Sequence, residues 1–327
     1  MGEWFAENGL LLGLAGLDGL AYAALVFMVA VGLNLVFGVL RIVNVAHGSL
    51  FAIGAYTAAS IGLFFTAQGL PPAAGYAALL LGAALVGGVL GPLIERVVLR
   101  RVYGYEDVLQ LLVTFALFMI LEDMQKLVWG VQPVFQDSPM KALGTVEVPF
   151  GDDTIPFTAY QLFVLPGVAV ATLIGLAWFL RRTLTGRVIV AVTTDKEAAT
   201  AMGIDAVRVT LLTFTFGAAL AALGGALASP TTSLVPGIGA STIVLSFAVV
   251  ATAGLGQIEG AALTSLLIGM GRSAAVYFAP ELEVVVPYLI MVAVLLVRPQ
   301  GLFGVVEARR VSAAVRKRCW RCSAWRP

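Results

Sequence analysis

Residues 181–208 read RRTLTGRVIVAVTTDKEAATAMGIDAVR, a polar island between two runs of membrane-grade apolar sequence. A charged, helix-forming segment in that position needs a physical reason. Locally it reads as a short helix with both ends marked. Thr194 and Glu197 have the Thr-x-x-Glu spacing of a capping box, in which each side chain satisfies a free backbone N–H at the helix start. Asp195 and Glu197 fall in the expected first turn, where the helix dipole favours negative charge. Ala198, Ala199, Ala201 and Met202 are strong helix formers, and Gly203 supplies a left-handed stop. A helix of about two turns is too short to hold its shape alone in water, so it must rest on its own membrane domain, on a partner, or on both.

The sequence around the island sets the class. Of 327 residues, 60% are hydrophobic and only 12% charged, which excludes a soluble globular domain. Mean hydropathy is +0.96. Several apolar runs approach the roughly 20 residues that cross a bilayer, and 36 glycines suit helices that pack closely in lipid through small faces. A net charge of +1 points to no partner, nucleic acid included, so the placement of charge matters more than its sum. Glu3 and Glu7 stand where a basic signal-peptide segment would be, so the first span is expected to act as its own insertion signal.

The fold class expected is an all-α polytopic membrane protein with about eight hydrophobic segments. After a short, weakly acidic start to about Asp18, spans are expected at about Gly19–Leu40, Leu50–Thr66 and Ala73–Ile94. A charged connection with Glu95, Arg96, Arg100 and Arg101 then leads to a fourth span ending near Trp129. Residues 130–158 form a connection whose only cation is Lys141. Further spans are expected at about Ala159–Leu180 and Val209–Ala228, with a last one at about Val284–Val297. Around the break GLGQIEG, residues 241–278 form either two spans or one re-entrant pair; the shortness of the first piece favours a broken element buried in protein.

Orientation follows from Lys and Arg in short loops, which stay cytoplasmic. Arg41, the Arg96–Arg101 connection, the island and the basic tail belong inside; residues 130–158 and the turn at Pro71 belong outside. The N-terminus is then outside and the C-terminus inside. Residues 1–306 form the membrane domain, and 307–327 a basic cytoplasmic tail suited to anchoring on anionic lipid. Cys319 and Cys322, spaced C-W-R-C, have no second pair and read as incidental.

Polar residues inside a bilayer are costly and often functional. Asn34 lies in the first span, Asn44, His47 and Ser49 at the break after it, and Tyr56 and Thr57 in the second span. Gln257 and Glu259 lie in the break at 254–260. These residues are candidates to line a substrate path or gate, because irregular backbone is tolerated at depth only where protein or water covers it. The alternative is structural: Asn34 and Asn44 as interhelical glue, His47 as a loop residue, Gln257 and Glu259 as partners for interrupted backbone. Glu122 and Lys126, four apart, can pair along one helix face, with Asp123 beside them. The single histidine has no companion for a metal site. No phosphate-binding GxxxxGK[ST], G-x-S-x-G or H-E-x-x-H is present, so no catalytic residue, metal or cofactor is expected and any nucleotide hydrolysis belongs to a partner.

Two runs carry a resemblance. GLNLVFGVLRIVNVAHGSLFAIGAYTAA, residues 32–59, and GRVIVAVTTDKEAATAMGID, residues 186–205, resemble the branched-chain amino acid ABC-transporter permeases of the LivH type, in order and spacing over about residues 20–305. The resemblance implies an importer subunit of the bacterial cytoplasmic (inner) membrane. It would pair with a homologous LivM-type permease, two cytoplasmic ATPases and a periplasmic substrate-binding protein. Glu197-Ala198-Ala199 with Gly203 also resembles the EAA…G coupling loop of ABC importers. Asp195 through Ile204 would then be a coupling helix docked in an ATPase groove. The family also includes urea and short-amide permeases, which leaves the cargo open. A secondary carrier or a channel remains the rival class, but neither needs a cytoplasmic docking helix.

Overall fold

The computed structural model of the chain describes residues 2–40, 42–150 and 153–304; Arg41, the tail at 307–327 and its two cysteines lie outside them. The first helix, α1 (Gly2–Leu40), begins well before the expected Gly19. Residues 2–18 contain no proline and no β-branched residue, so the helix can begin early despite four glycines. At 39 residues it is about 58 Å long, longer than the roughly 30 Å hydrocarbon layer it must cross.

After α1 come α2 (His47–Ala67), α3 (Ala74–Val102) and α4 (Asp107–Trp129). The charged connection expected from Glu95 is instead the continuation of α3. That helix runs to Val102 through two wide π-helical stretches, Val86–Leu90 and Glu95–Leu99. Residues 130–158 hold a short helix, α5 (Ser138–Leu143), and a hairpin of β1 (Thr145–Phe150) and β2 (Asp153–Thr158). The pairing is antiparallel, with Val146 opposite Phe157 and Val148 opposite Ile155. Its Thr, Val and Ile content suits strand, and Pro149 and Pro156 are tolerated because both strands are edges.

The second half comprises α6 (Tyr160–Arg182), α7 (Leu184–Thr194), α8 (Lys196–Ala201), α9 (Ala206–Ala228), α10 (Ile238–Ala253), α11 (Ile258–Phe278) and α12 (Val285–Val297). Among the described residues, six helices are long and apolar enough to cross a membrane: Gly9–Leu40 of α1, together with α2, α3, α6, α9 and α11. Of the pair expected at 241–278, α11 has the length of a span, whereas α10, at 16 residues and about 24 Å, falls short. The protein is thus a multi-pass helical bundle.

Helix α1 is the central post, with 78% of its most apolar stretch buried, against 11% for α6. Around it α2 and α9 approach through small faces. A Cβ on Gly54 would meet the Ala222 backbone at 2.5 Å, and one on Gly225 would meet the Phe51 carbonyl oxygen at 1.9 Å. The bundle has two chemically distinct ends. Tyr76 donates to the Pro139 carbonyl at 2.9 Å, and Val134 bridges Leu234, so residues 130–143 fold over one end. The island, Arg181 and the foot of α3 share the other end, where Lys196 faces Tyr103.

Gly225→Val is expected to destabilise the chain by about 3 kcal/mol, because backbone rather than a flexible side chain must move. Gly88→Ala, with nothing within 4 Å of its Cβ, is expected to be neutral or stabilising. Thermal unfolding of the detergent-solubilised chain distinguishes the two.

Candidate functional site: a capped island and two sealed breaks

The island folds as two helices rather than one. Thr183 caps α7, its Oγ1 accepting from Gly186 N at 3.0 Å. Ile189 and Val192 turn inward and pack with Val39 of α1 and Val209 of α9. The second helix, α8, starts at Asp195, whose Oδ1 accepts from the Glu197 and Ala198 amides, each at 3.0 Å. The expected Thr194–Glu197 capping box is therefore corrected. Thr194 is the last residue of α7 and donates to its own helix at Val190 O, while extended Asp195 takes the cap position. Asp195 accordingly precedes the first turn instead of lying in it.

The other end of α8 closes as read. Gly203 has φ +87°, Gly203 N donates to Thr200 O, and Ile204 N reaches back to Ala199 O at 3.1 Å. That pair of bonds is a Schellman motif, and its companion apolar contact is Ile204 with the cluster around Ala199. Asp205 then caps α9 through the Val207 and Arg208 amides. Thus Ala199 is the buried foot of α8, while Lys196, Glu197, Ala198, Ala201 and Met202 are exposed, Met202 at 84%. A short helix with an apolar tip and fixed ends can serve as a docking element.

The expected path residues fall in three places. Asn44, His47 and Ser49 gather at the break between α1 and α2, all fully or almost fully buried. Asn44 Oδ1 accepts from Ala46 N at 3.2 Å, His47 Nε2 lies 3.3 Å from Val29 O, and Ser49 Oγ donates to Phe118 O. Thr114 of α4 adds a bond to Val43 O at 3.2 Å. Asn44 Nδ2 and His47 Nδ1 have no hydrogen-bond partner among the described residues.

Asn34 works at a second place. Its Nδ2 donates to Gln257 O at 2.7 Å and its Oδ1 accepts from Gly256 N at 2.6 Å. One side chain thereby closes the break between α10 and α11, where Gly254 and Gly256 take left-handed φ values. Leu302 and Phe303 donate to Thr252 and Ala253 carbonyls at the same spot, and Glu259 pairs with Arg181 at the end of α6. Tyr56 stands apart, stacked obliquely at 5.3 Å on Trp129, and its neighbour Thr57 is only half-buried. Near that end Lys126 pairs more closely with Asp123, at 3.0 Å, than with Glu122, at 3.9 Å.

Two charged groups escaped the sequence reading. Glu95, assigned to a connection, is fully buried and held by Arg100 at 3.0 Å. The five-residue spacing was the available signal, since it suits a π-helical turn better than an α-helical one. Arg272, in a segment read only as hydrophobic, pairs with Glu283 and lies 4.0 Å from the centre of the Tyr22 ring.

A bundle of spanning helices with its breaks closed in protein, and a capped helix bared at one end, defines a polytopic α-helical membrane protein. The chain belongs to the family described as branched-chain amino acid transport system / permease component, whose profile matches residues 16–295. It is 28% identical over 306 residues to the high-affinity branched-chain amino acid transport system permease protein BraD of Pseudomonas aeruginosa, covering 90% of this chain and 96% of that protein. It is also 28% identical to LivH of Salmonella typhimurium, again over 90% and 96% of the two chains. To the probable branched-chain amino acid transport permease protein LivH of Methanocaldococcus jannaschii it is 27% identical, over 87% and 90%. Among solved structures, PsaBC from Streptococcus pneumoniae in complex with Fab aligns at a TM-score of 0.46 with 13% identity, covering 91% of this chain and 94% of that one.

Asp195→Ala is expected to destabilise α8 by about 1 kcal/mol, while Thr194→Ala stays within a few tenths. Faster hydrogen exchange at the Glu197 and Ala198 amides in the first variant alone is the readout. Asn34→Ala, which strips Gly256 N–H of its acceptor, is expected to cost about 1–3 kcal/mol in thermal unfolding.

Proposed function

We propose that this chain is the membrane-spanning subunit of an ATP-driven importer for branched-chain or other apolar amino acids. It forms the translocation path together with a homologous permease. A periplasmic binding protein delivers substrate on the side of residues 130–158, and two ATPases dock on the side of the island. The N-terminus then lies outside and the C-terminus inside the cytoplasmic (inner) membrane. The observation that carries this reading is α8: a rigid, doubly terminated helix with exposed Glu197, Ala201 and Met202, held by Ala199 against α7 and the end of α1. The substrate named for BraD and LivH supports branched-chain amino acids ahead of urea or short amides.

In this mechanism ATP closes the two ATPases, α8 moves with them, and the path between the permeases changes its open side. Such a shift needs a ligand that binds the two states with different energy, and here that ligand is ATP on the partners. Within this chain, Asp195, Glu197, Ala198, Ala199, Gly203 and Ile204 form the coupling element. Asn44, His47, Ser49, Tyr56 and Thr57 are the residues we assign to the path, with Asn34 and Gln257 at its inner constriction. The support for that constriction is proximity: Gly38 of α1 lies beside both Thr193 of α7 and Gly256 of the break.

A cysteine replacing exposed Ala201 is expected to crosslink, in intact membranes, to a nucleotide-hydrolysing subunit. The double variant Glu197→Arg, Gly203→Pro should insert normally, because the change lies outside the spans, yet proline cannot adopt the left-handed angle at 203. Leucine uptake should then fall at least about tenfold, the effect of losing roughly 1.4 kcal/mol of docking energy. Undiminished uptake, or an Ala201 position reachable only from outside, would overturn the proposal.

A further inference from the structure

Beneath the start of α8, the Lys196 ammonium stands 6.0 Å from the centre of the Tyr103 ring, at the outer edge of the range over which a cation and a ring attract. Tyr103 follows directly on α3. Its hydroxyl donates to Glu95 Oε1 at 3.4 Å, and Arg100 donates to both carboxylate oxygens, at 3.3 and 3.0 Å. Glu95 is fully buried, and a carboxylate left there without these partners would be costly. Burial above all, and then the neighbouring Glu95 charge, raise the pKa of the Tyr103 phenol, which therefore stays protonated and remains a donor.

Further along α3, glycines bring its backbone close to α9, where only small alanine side chains intervene. A Cβ on Gly87 would meet Ala219 Cβ at 2.4 Å, and one on Gly91 would meet Thr215 Cα at 3.2 Å. Since α8 continues through Gly203 and Asp205 into α9, it is joined to the α3–α9 unit at both of its ends. The start of α8 is also continuous with α7 and its Ala199 packs there, so the Lys196–Tyr103 contact is an added link from α8 to α3.

We propose that Tyr103, Glu95 and Arg100 are positioning residues for transport, converting movement of α8 into joint movement of α3 and α9. This rests on α8 being the ATPase-docking helix. Lys196 supplies the contact, Tyr103 receives it, and the Glu95–Arg100 pair fixes Tyr103 to the wide turn of α3.

The test uses the complex isolated from its native membranes by a tag on this chain and reconstituted into liposomes. Leucine uptake per ATP hydrolysed and the amount of co-purified ATPase are measured together. Lys196→Ala and Tyr103→Leu should each lower uptake per ATP by about two- to fivefold, the weight of an exposed cation–ring contact, with ATPase content unchanged. Lys196→Arg, which keeps the cation, should restore the ratio. Should Tyr103→Leu fail to fold, Lys196→Ala decides alone, because Lys196 is exposed. An unchanged ratio with the ATPase still bound overturns the relay and leaves docking intact. Loss of the ATPase in Lys196→Ala also overturns the relay, since the residue would then act in docking itself. Absence of any ATPase from the unaltered complex, or of a crosslink at position 201, removes the docking reading and the relay with it.

Discussion

A peptide N–H or C=O left bare in hydrocarbon costs several kcal/mol, and this requirement governs every interruption in the bundle. The chain interrupts its helices more than once within the packed bundle, and polar side chains, local or from another helix, help close these breaks. Asn44 and Thr114 serve residues 43–46, and Asn34 serves Gly256 and Gln257. The segment after α12 returns to cover the Thr252 and Ala253 carbonyls. Because the donors and acceptors come from different helices, closing the breaks also ties α1 to α4 on one side and to α11 on the other. Polar residues in the core are thus partly structural even where we assign them to the path. Asn34 has both ends of its amide engaged, whereas Asn44 and His47 each retain a buried polar atom without a partner among the described residues.

The island obeys a different rule, because it stands outside the apolar layer and is too short to be helical without help. Three caps, Thr183, Asp195 and Asp205, and one left-handed glycine divide about two dozen residues into α7, α8 and the start of α9. What results is a small body whose inner side, through Ala199 and Ile204, packs near Val39 at the end of α1. The exposed side keeps charge and several large apolar residues, Met202 of α8 the most exposed of them. Rigidity toward the membrane domain and exposure away from it are the two properties a mechanical contact needs.

Much of this was legible in sequence because the signals are local. Apolar length marked six of the expected spans, though not α4 or α12, which are not long and apolar enough to cross; Gly203 marked a helix end, and the residues 186–205 carried a family resemblance. The failures share one cause, which is that tertiary surroundings reassigned residues whose local pattern was ambiguous. Thr194 and Asp195 are both good caps, and only the end of α7 decides which of them is free to serve. Glu95 begins a charged run that looks like a loop, yet Arg100 and Tyr103 let it remain inside a helix. The hairpin at 145–158 is rich in β-branched residues, but that cue is faint beside spans of twenty apolar positions. Asn34 was visible as a buried polar residue; its partner, more than two hundred positions away, was not.

The contrast between α1 and α6 has an evolutionary consequence. Most of the apolar stretch of α1 is fitted against other helices, while most of that of α6 faces outward. Random change will therefore be filtered very unevenly along this polypeptide. In α6 a leucine can drift to isoleucine or phenylalanine with little cost wherever lipid covers it, since a fluid neighbour adapts to either shape. In α1 the same exchange must find room in a packed interior, where a single methylene is felt. Lineages that diverge in cargo or habitat will accumulate their differences on the outward helices and keep the central post almost unaltered.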